Sequence, residues 1–220
     1  MRRVHEGYAP FSIGNEGGEV STKPGTGPSQ EEVEPAALAR DRARLLDLMR
    51  EHSFKKRRVR LSSGMESDFY IDCKTTSLLA EGHYLIGRLL LSLAPKEAVA
   101  AGGLTLGADP LASALSMSSW LAKRPLDAFI VRKEPKGHGT DRWIESPKLS
   151  SGSKVIVLED VVTTGASTIH ALERVREAGY LPLKVIALVD RLEGGREAVE
   201  ATGVSLDVLF DRFDFIPEET

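Results

Sequence analysis

Lys154-Val-Ile-Val-Leu-Glu-Asp-Val-Val-Thr-Thr-Gly-Ala-Ser167 passes from branched apolar residues to two adjacent carboxylates and then to a short turn rich in hydroxyls. The apolar run from Lys154 to Leu158 does not alternate, which predicts a strand covered on both faces, as in a parallel sheet. Beyond the turn, Ile169, Leu172 and Val175 recur at helical spacing, Glu173 and Arg176 take another face, and Gly179 supplies a stop. The unit is strand, loop, helix. Ligands of open α/β sheets bind beyond the carboxyl ends of strands, where Glu159, Asp160 and Thr163 to Ser167 are expected. Carboxylates repel phosphate but accept hydrogen bonds from a pair of ribose hydroxyls. Thr163, Thr164 and Ser167 can donate to a phosphate, Gly165 permits close approach, and a helix N-terminus adds unpaired N–H groups and partial positive charge. A sugar phosphate is the expected ligand. The bland alternative is a strand end followed by a helix cap. The turn lacks both the Gly-Lys-Ser/Thr ending of a P-loop and the three glycines of a dinucleotide fingerprint.

Outward from this unit, helices are expected at Pro35 to Glu51, with Leu38, Leu45, Leu46 and Met49 apolar, at Leu78 to Leu93 and at Pro110 to Leu121. Strands are expected at Ala98 to Ala101, Asp127 to Val131, Lys154 to Glu159 and Val185 to Val189. Alternating strands and helices imply an α/β fold with a mainly parallel sheet. After Val131 comes Arg132-Lys-Glu-Pro-Lys-Gly-His-Gly-Thr140, in which Arg132, Lys133, Lys136 and His138 are interrupted by Pro135, Gly137 and Gly139. Such spacing disfavours a helix and predicts a cationic loop. Apolar residues stay sparse from Lys133 to Ser153, and a loop this long within a compact domain is usually a functional lid or disordered. A solvated basic loop is the plain alternative.

The first stretch resembles the phosphoribosyl diphosphate (PRPP) motif of type I phosphoribosyltransferases: apolar strand, two acids, two apolar residues, then Thr-x-Gly-x-Ser/Thr. The cationic loop resembles the Arg-Lys-x-x-Lys-x-His-Gly loop of the orotate phosphoribosyltransferases. Arg60-Leu-Ser-Ser-Gly-Met-Glu-Ser-Asp-Phe-Tyr-Ile-Asp72 is similar to that family's amino-terminal hairpin, and Val185-Ile-Ala-Leu-Val-Asp-Arg191 to its strand whose terminal arginine contacts orotate. The likeness spans about residues 36 to 220. It implies the type I phosphoribosyltransferase fold, a central mainly parallel sheet flanked by helices with a small amino-terminal hood. It also implies transfer of ribose 5-phosphate from PRPP to N1 of orotate, giving orotidine 5′-monophosphate and diphosphate. Two positions depart from relatives: Gly107, in the loop Gly102 to Asp109, stands where many carry lysine, and Ser62 where some do. Lys74 could supply a charge.

By the same resemblance, PRPP is bound by Arg132, Lys133, Lys136, His138, Glu159, Asp160, Val161, Val162, Thr163, Thr164, Gly165, Ala166 and Ser167, and orotate by Thr163 and Arg191. Glu159 and Asp160 would hold the ribose hydroxyls and favour positive character at C1, a demand that peaks in the transition state. Lys133, Lys136 and His138 would balance charge on the departing diphosphate, and Lys136 with His138 could donate it a proton. Thr163 to Ser167 would position C1 through the 5′-phosphate. Mg2+ is the expected cofactor, held by ligand oxygens and water rather than by direct protein ligands. A homodimer with shared sites is implied, since Arg132 and Lys133 of the family reach into the partner's site. Two competing readings are a phosphoribosyltransferase for a purine or uracil, against which Arg191 and the lid speak, and a PRPP-sensing nucleic-acid-binding regulator.

Composition narrows the rest. Lys plus Arg is 29 against 32 acidic residues, a net charge of −3, which does not suggest a general nucleic-acid binder. Cys73 is the only cysteine, which excludes an internal disulfide and fits a reducing, cytoplasmic setting; its place at the end of an apolar strand predicts packing rather than reactivity. No apolar run approaches the roughly 20 residues of a membrane span. Residues 1–34 are rich in Gly and Pro, lack periodicity and read as a disordered tail, without the apolar core of a secretory signal. Residues 35–220 read as one domain including the hood.

Overall fold

Helix α1 (Pro35–His52) starts on a proline, which suits a first helical turn because its missing N–H would have no partner there, and it buries Leu45, Leu48 and Met49. The computed structural model describes residues 34–56, 59–60, 66–67, 69–135 and 142–216, so the tail expected before Glu34 lies outside the described residues. Four two-residue strands make the hood: β1 (Phe54–Lys55), β2 (Val59–Arg60), β3 (Glu66–Ser67) and β4 (Tyr70–Ile71). β1 pairs with β4 and β2 with β3, both antiparallel. Then follow α2 (Lys74–Ser77), α3 (Ala80–Leu93), β5 (Ala100–Leu104), α4 (Asp109–Leu121), β6 (Asp127–Val131) and β7 (Ile144–Glu145). The chain continues through β8 (Lys154–Val162), α5 (Ala166–Glu177), β9 (Leu181–Asp190), α6 (Gly195–Glu200), β10 (Leu206–Asp211) and α7 (Arg212–Phe215).

The main sheet runs β10-β9-β8-β5-β6-β7, parallel except for β7, so this is the expected α/β architecture. From β5 the chain moves one way to β6; from β8 it moves the other way to β9 and β10. The order therefore reverses between β5 and β8, and the carboxyl ends of those two strands frame the crevice where such sheets bind ligands.

Alternation along β8 builds two cores. Ile156 and Leu158 join Leu45, Ile86, Leu111 and Leu115 on the α1, α3 and α4 side. Val155 and Val157 join Ala171, Leu172 and Val175 of α5 on the other. Among the described residues no helix is long and apolar enough to cross a membrane.

Several boundaries differ from expectation. β8 does not stop at its acids but continues to Val162, because β9 reaches far enough to pair Val161 with Val189 and Val162 with Asp190. β9 itself begins at Leu181, through a half-exposed segment that apolar patterning under-reads. The irregular segment expected over Lys133 to Ser153 is interrupted by β7, which pairs antiparallel with β6 and carries Trp143 beside it to within 4.2 Å of the Arg174 guanidinium. β10 and α6 were not anticipated, since Leu206-Asp-Val-Leu-Phe-Asp211 mixes acids into an edge strand.

Candidate active site

The alternation that builds the two cores also separates the two acids. Glu159 follows Val155 and Val157 onto the α5 side, where its Oε2 accepts hydrogen bonds from Ser167 Oγ at 2.7 Å and Thr168 Oγ1 at 3.0 Å. Asp160 follows Ile156 and Leu158 onto the opposite side. There a Cβ added to Gly107 would stand 2.5 Å from Asp160 Oδ1, so the absence of a side chain lets the loop after β5 close onto this carboxylate. Asp160 Oδ1 also accepts the Val161 N–H at 2.9 Å. The acids are thus adjacent in sequence but meet different elements, one beneath the α5 N-terminus and one facing hood and loop.

Glu159 is only 5 % exposed. Burial, then the neighbouring Asp160 charge, push its carboxyl up to about 8, against the pull of the Ser167 and Thr168 hydroxyls. A carboxyl raised above its unfolded value of 4.5 contributes stability that is fully present below pH 4.5 and is lost as pH rises through about 8. Glu159→Gln keeps an acceptor for both hydroxyls and removes the titration. Its melting temperature should therefore rise relative to wild type between pH 5 and pH 9, by at least several degrees. Parallel curves for the two proteins in ligand-free thermal melts would contradict the burial argument.

The turn Thr163 to Ser167 lies beyond β8 as expected. Gly165 sits at φ 80°, in the left-handed region that favours glycine, and caps α5 without any side-chain hydrogen bond to the first turn. The leading N–H groups of a twelve-residue helix thus have no side-chain cap, the condition for anion binding at a helix N-terminus. Behind the turn, Gly195 leaves room for the Thr163 carbonyl, which an added Cβ would approach to 2.5 Å.

Arg191 stands one residue past β9, its N–H donating to the Val162 carbonyl at 3.0 Å. Its guanidinium is buried, donates to Glu193 Oε1 at 3.1 Å and to the Phe69 carbonyl at 3.2 Å, and lies 4.0 Å from the Phe69 ring centroid. The hood is thereby fastened over the end of β9. Cys73 is fully buried, its thiol donates to the Asp160 carbonyl at 3.6 Å, and burial raises its pKa well above the usual thiol value, so the packing expectation holds.

At the root of the cationic loop, Arg132 is paired with Glu145 at 2.7 Å, and Lys133 is exposed. Lys136, His138 and the intervening glycines lie outside the described residues, as does Ser62. Sequence reading missed Thr168, the second hydroxyl on Glu159; a hydroxyl beside Ser167 in the first turn of a helix facing a strand carboxylate was the available signal. It also missed Phe69 as the platform for Arg191.

A mainly parallel sheet carrying an acid pair, a hydroxyl-rich turn before a helix and a hood at its switch point has the fold of a type I phosphoribosyltransferase. Solved structures agree: the orotate phosphoribosyltransferase of Mycobacterium tuberculosis in complex with Fe(III) dicitrate superposes with a TM-score of 0.71, at 41 % identity, over 80 % of this chain and 99 % of that one. The same enzyme in complex with PRPP gives 0.65 at 34 % identity, over 80 % and 92 % of the two chains. No protein-family model matches the chain. A curated orotate phosphoribosyltransferase of Sorangium cellulosum is 53 % identical over 188 residues, 83 % of this chain and 97 % of that protein. The chain belongs to the orotate phosphoribosyltransferase family.

Proposed function

We infer that this crevice transfers the ribose 5-phosphate group of PRPP to N1 of orotate, giving orotidine 5′-monophosphate and diphosphate, a step of de novo pyrimidine (UMP) biosynthesis. The observation that carries the reading is the junction at the switch point. The uncapped α5 N-terminus and Thr163 to Ser167 suit a 5′-phosphate, and Glu159 and Asp160 flank the place where a ribose anchored there would lie. Asp160 would favour the positive character that develops at C1 as the bond to diphosphate stretches. Glu159, holding Ser167 and Thr168, would keep the turn in register and accept from a ribose hydroxyl. Arg132, Lys133, Lys136 and His138 would neutralise diphosphate, and Lys136 with His138 could donate a proton to it. Arg191 and Thr163 would orient orotate, the planar guanidinium matching its carboxylate.

Mg2+ fits this site as an ion carried by substrate. Its ligands would be PRPP oxygens and water, the oxygen donors that a hard divalent cation paired with diphosphate prefers. When bound, it supplies charge neutralisation to the departing diphosphate.

A homodimer is supported by exposed apolar side chains along α4 and the loop before it: Leu106 in the loop after β5, and Met117, Trp120 and Leu121 in the last turns of α4, are each more than 60 % exposed. The sole cysteine, buried as a free thiol, suits the cytoplasm.

Purified protein supplied with PRPP, Mg2+ and orotate should consume orotate, followed by its loss of ultraviolet absorbance, and should leave hypoxanthine and uracil untouched. Turnover of either of those bases in place of orotate would redirect the assignment.

A further inference from the structure

We propose that Lys74 is a diphosphate-binding residue of this site, its ammonium meeting the leaving group from the hood side of Asp160. The proposal rests on the reading of the crevice as a PRPP site and adds a contact to it.

Three placements support it. Cys73, the residue before Lys74, fastens the start of α2 to β8 through its thiol and the Asp160 carbonyl, at 3.6 Å. Lys74 therefore emerges beside the acid that faces the loop after β5. Its ammonium is pre-oriented: Nζ lies 2.7 Å from Asp72 Oδ1, and its own backbone N–H donates to the same oxygen at 3.2 Å. Beyond Asp72, the Asp160 charge also acts on this ammonium, raising its proton affinity together with the Asp72 hydrogen bond. Yet the side chain remains 42 % exposed, so a ligand can reach it.

The need for such a charge follows from the surroundings. The loop Gly102 to Asp109, which closes on Asp160 at Gly107, contains no lysine or arginine. The described cations of the lid, Arg132 and Lys133, approach from the end of β6. A diphosphate lying between the ribose and that loop would carry several negative charges past Asp160 with no cation from the loop to meet them. Lys74 supplies one from the start of α2. A partly exposed Asp72–Lys74 pair contributes little to stability by itself. Its effect is to hold a flexible side chain in place before the anion arrives, which lowers the entropy cost of binding.

The test uses the full chain and two probes that divide PRPP between them, Mg2+-diphosphate and ribose 5-phosphate, titrated calorimetrically into wild type, Lys74→Ala and Lys74→Arg. Loss of one charge-assisted hydrogen bond predicts about tenfold or greater weakening of diphosphate binding in Lys74→Ala. Ribose 5-phosphate affinity should stay unchanged, and Lys74→Arg should recover most of the loss. In turnover, KM for PRPP should rise more than kcat falls. Equal diphosphate affinity in wild type and Lys74→Ala overturns the proposal. So does a parallel loss for both probes, which would mean that the lysine only positions Asp160. Failure of wild type to bind either probe would instead defeat the PRPP reading itself.

Discussion

Asp160→Asn is expected to lower kcat for orotate consumption by about 10²- to 10³-fold, the usual effect of removing one preorganised charge aimed at a developing transition-state charge. The fold should survive. Asp160 is partly exposed, its Oδ1 accepts the Val161 N–H at 2.9 Å, and an asparagine oxygen can keep that bond while fitting against Gly107. Only the charge is lost. Glu159→Gln should cost less turnover than Asp160→Asn. In the unliganded protein burial and the Asp160 charge hold Glu159 above the ordinary carboxyl range, and it already spends one oxygen on Ser167 and Thr168, so the substitution removes less than the same change at Asp160. The two variants are linked through a second observable. Asp160 is the largest cause, after burial, of the rise at Glu159, so Asp160→Asn should also flatten the decline of stability between pH 5 and pH 9. Orotate absorbance and thermal melts across pH measure both effects. Unchanged turnover with Asn at 160 would remove this residue from the proposed site.

The division of labour between the two acids shows what was legible in the sequence and what was not. Lys154 to Leu158 announced a buried strand because nothing polar interrupted it, and the hydroxyl-rich turn with Gly165 announced a phosphate-facing helix start. That Glu159 and Asp160 meet different elements depends on the strand continuing to Val162, where the alternation itself breaks: Val161 packs with Ile156 and Leu158, and Val162 with Val155 and Val157. That continuation depends on β9, whose reach is set by pairing between segments distant in sequence. Arg191 was legible as the end of a strand, whereas its seat on Phe69 depends on a hood contact across 122 positions, which local patterning cannot register. β7 and β10 escaped for a related reason: both are edge strands, so burial did not impose on them the apolar run that marks β8. Cys73 was read correctly as packed because its position closes an apolar strand, though its bond to the Asp160 carbonyl needed the tertiary structure.

Mixing Lys136→Ala protein with Asp160→Asn protein should restore activity that neither has alone. If the cationic loop serves the partner's crevice, each hybrid dimer holds one site with both defects and one with neither. Random reassortment of equal amounts makes about half of all dimers hybrid, and half of their sites intact, for recovery near a quarter of wild type. If each loop serves its own crevice, every site in a hybrid still has one defect and nothing is regained. The surface that would bring two copies together can be tested in the same experiment. Leu106 in the loop that closes on Asp160, and Met117, Trp120 and Leu121 toward the far end of α4, are all exposed apolar side chains. An aromatic ring of this size buried at the centre of an interface commonly contributes 2 kcal/mol or more, about a thirtyfold change in dimer affinity. Trp120→Glu introduced into both parents should therefore shift sedimentation toward monomer and abolish the recovery. Recovery that persists with monomeric Trp120→Glu parents, or none from parents shown to exchange subunits, would rule out sites completed by the partner through this face.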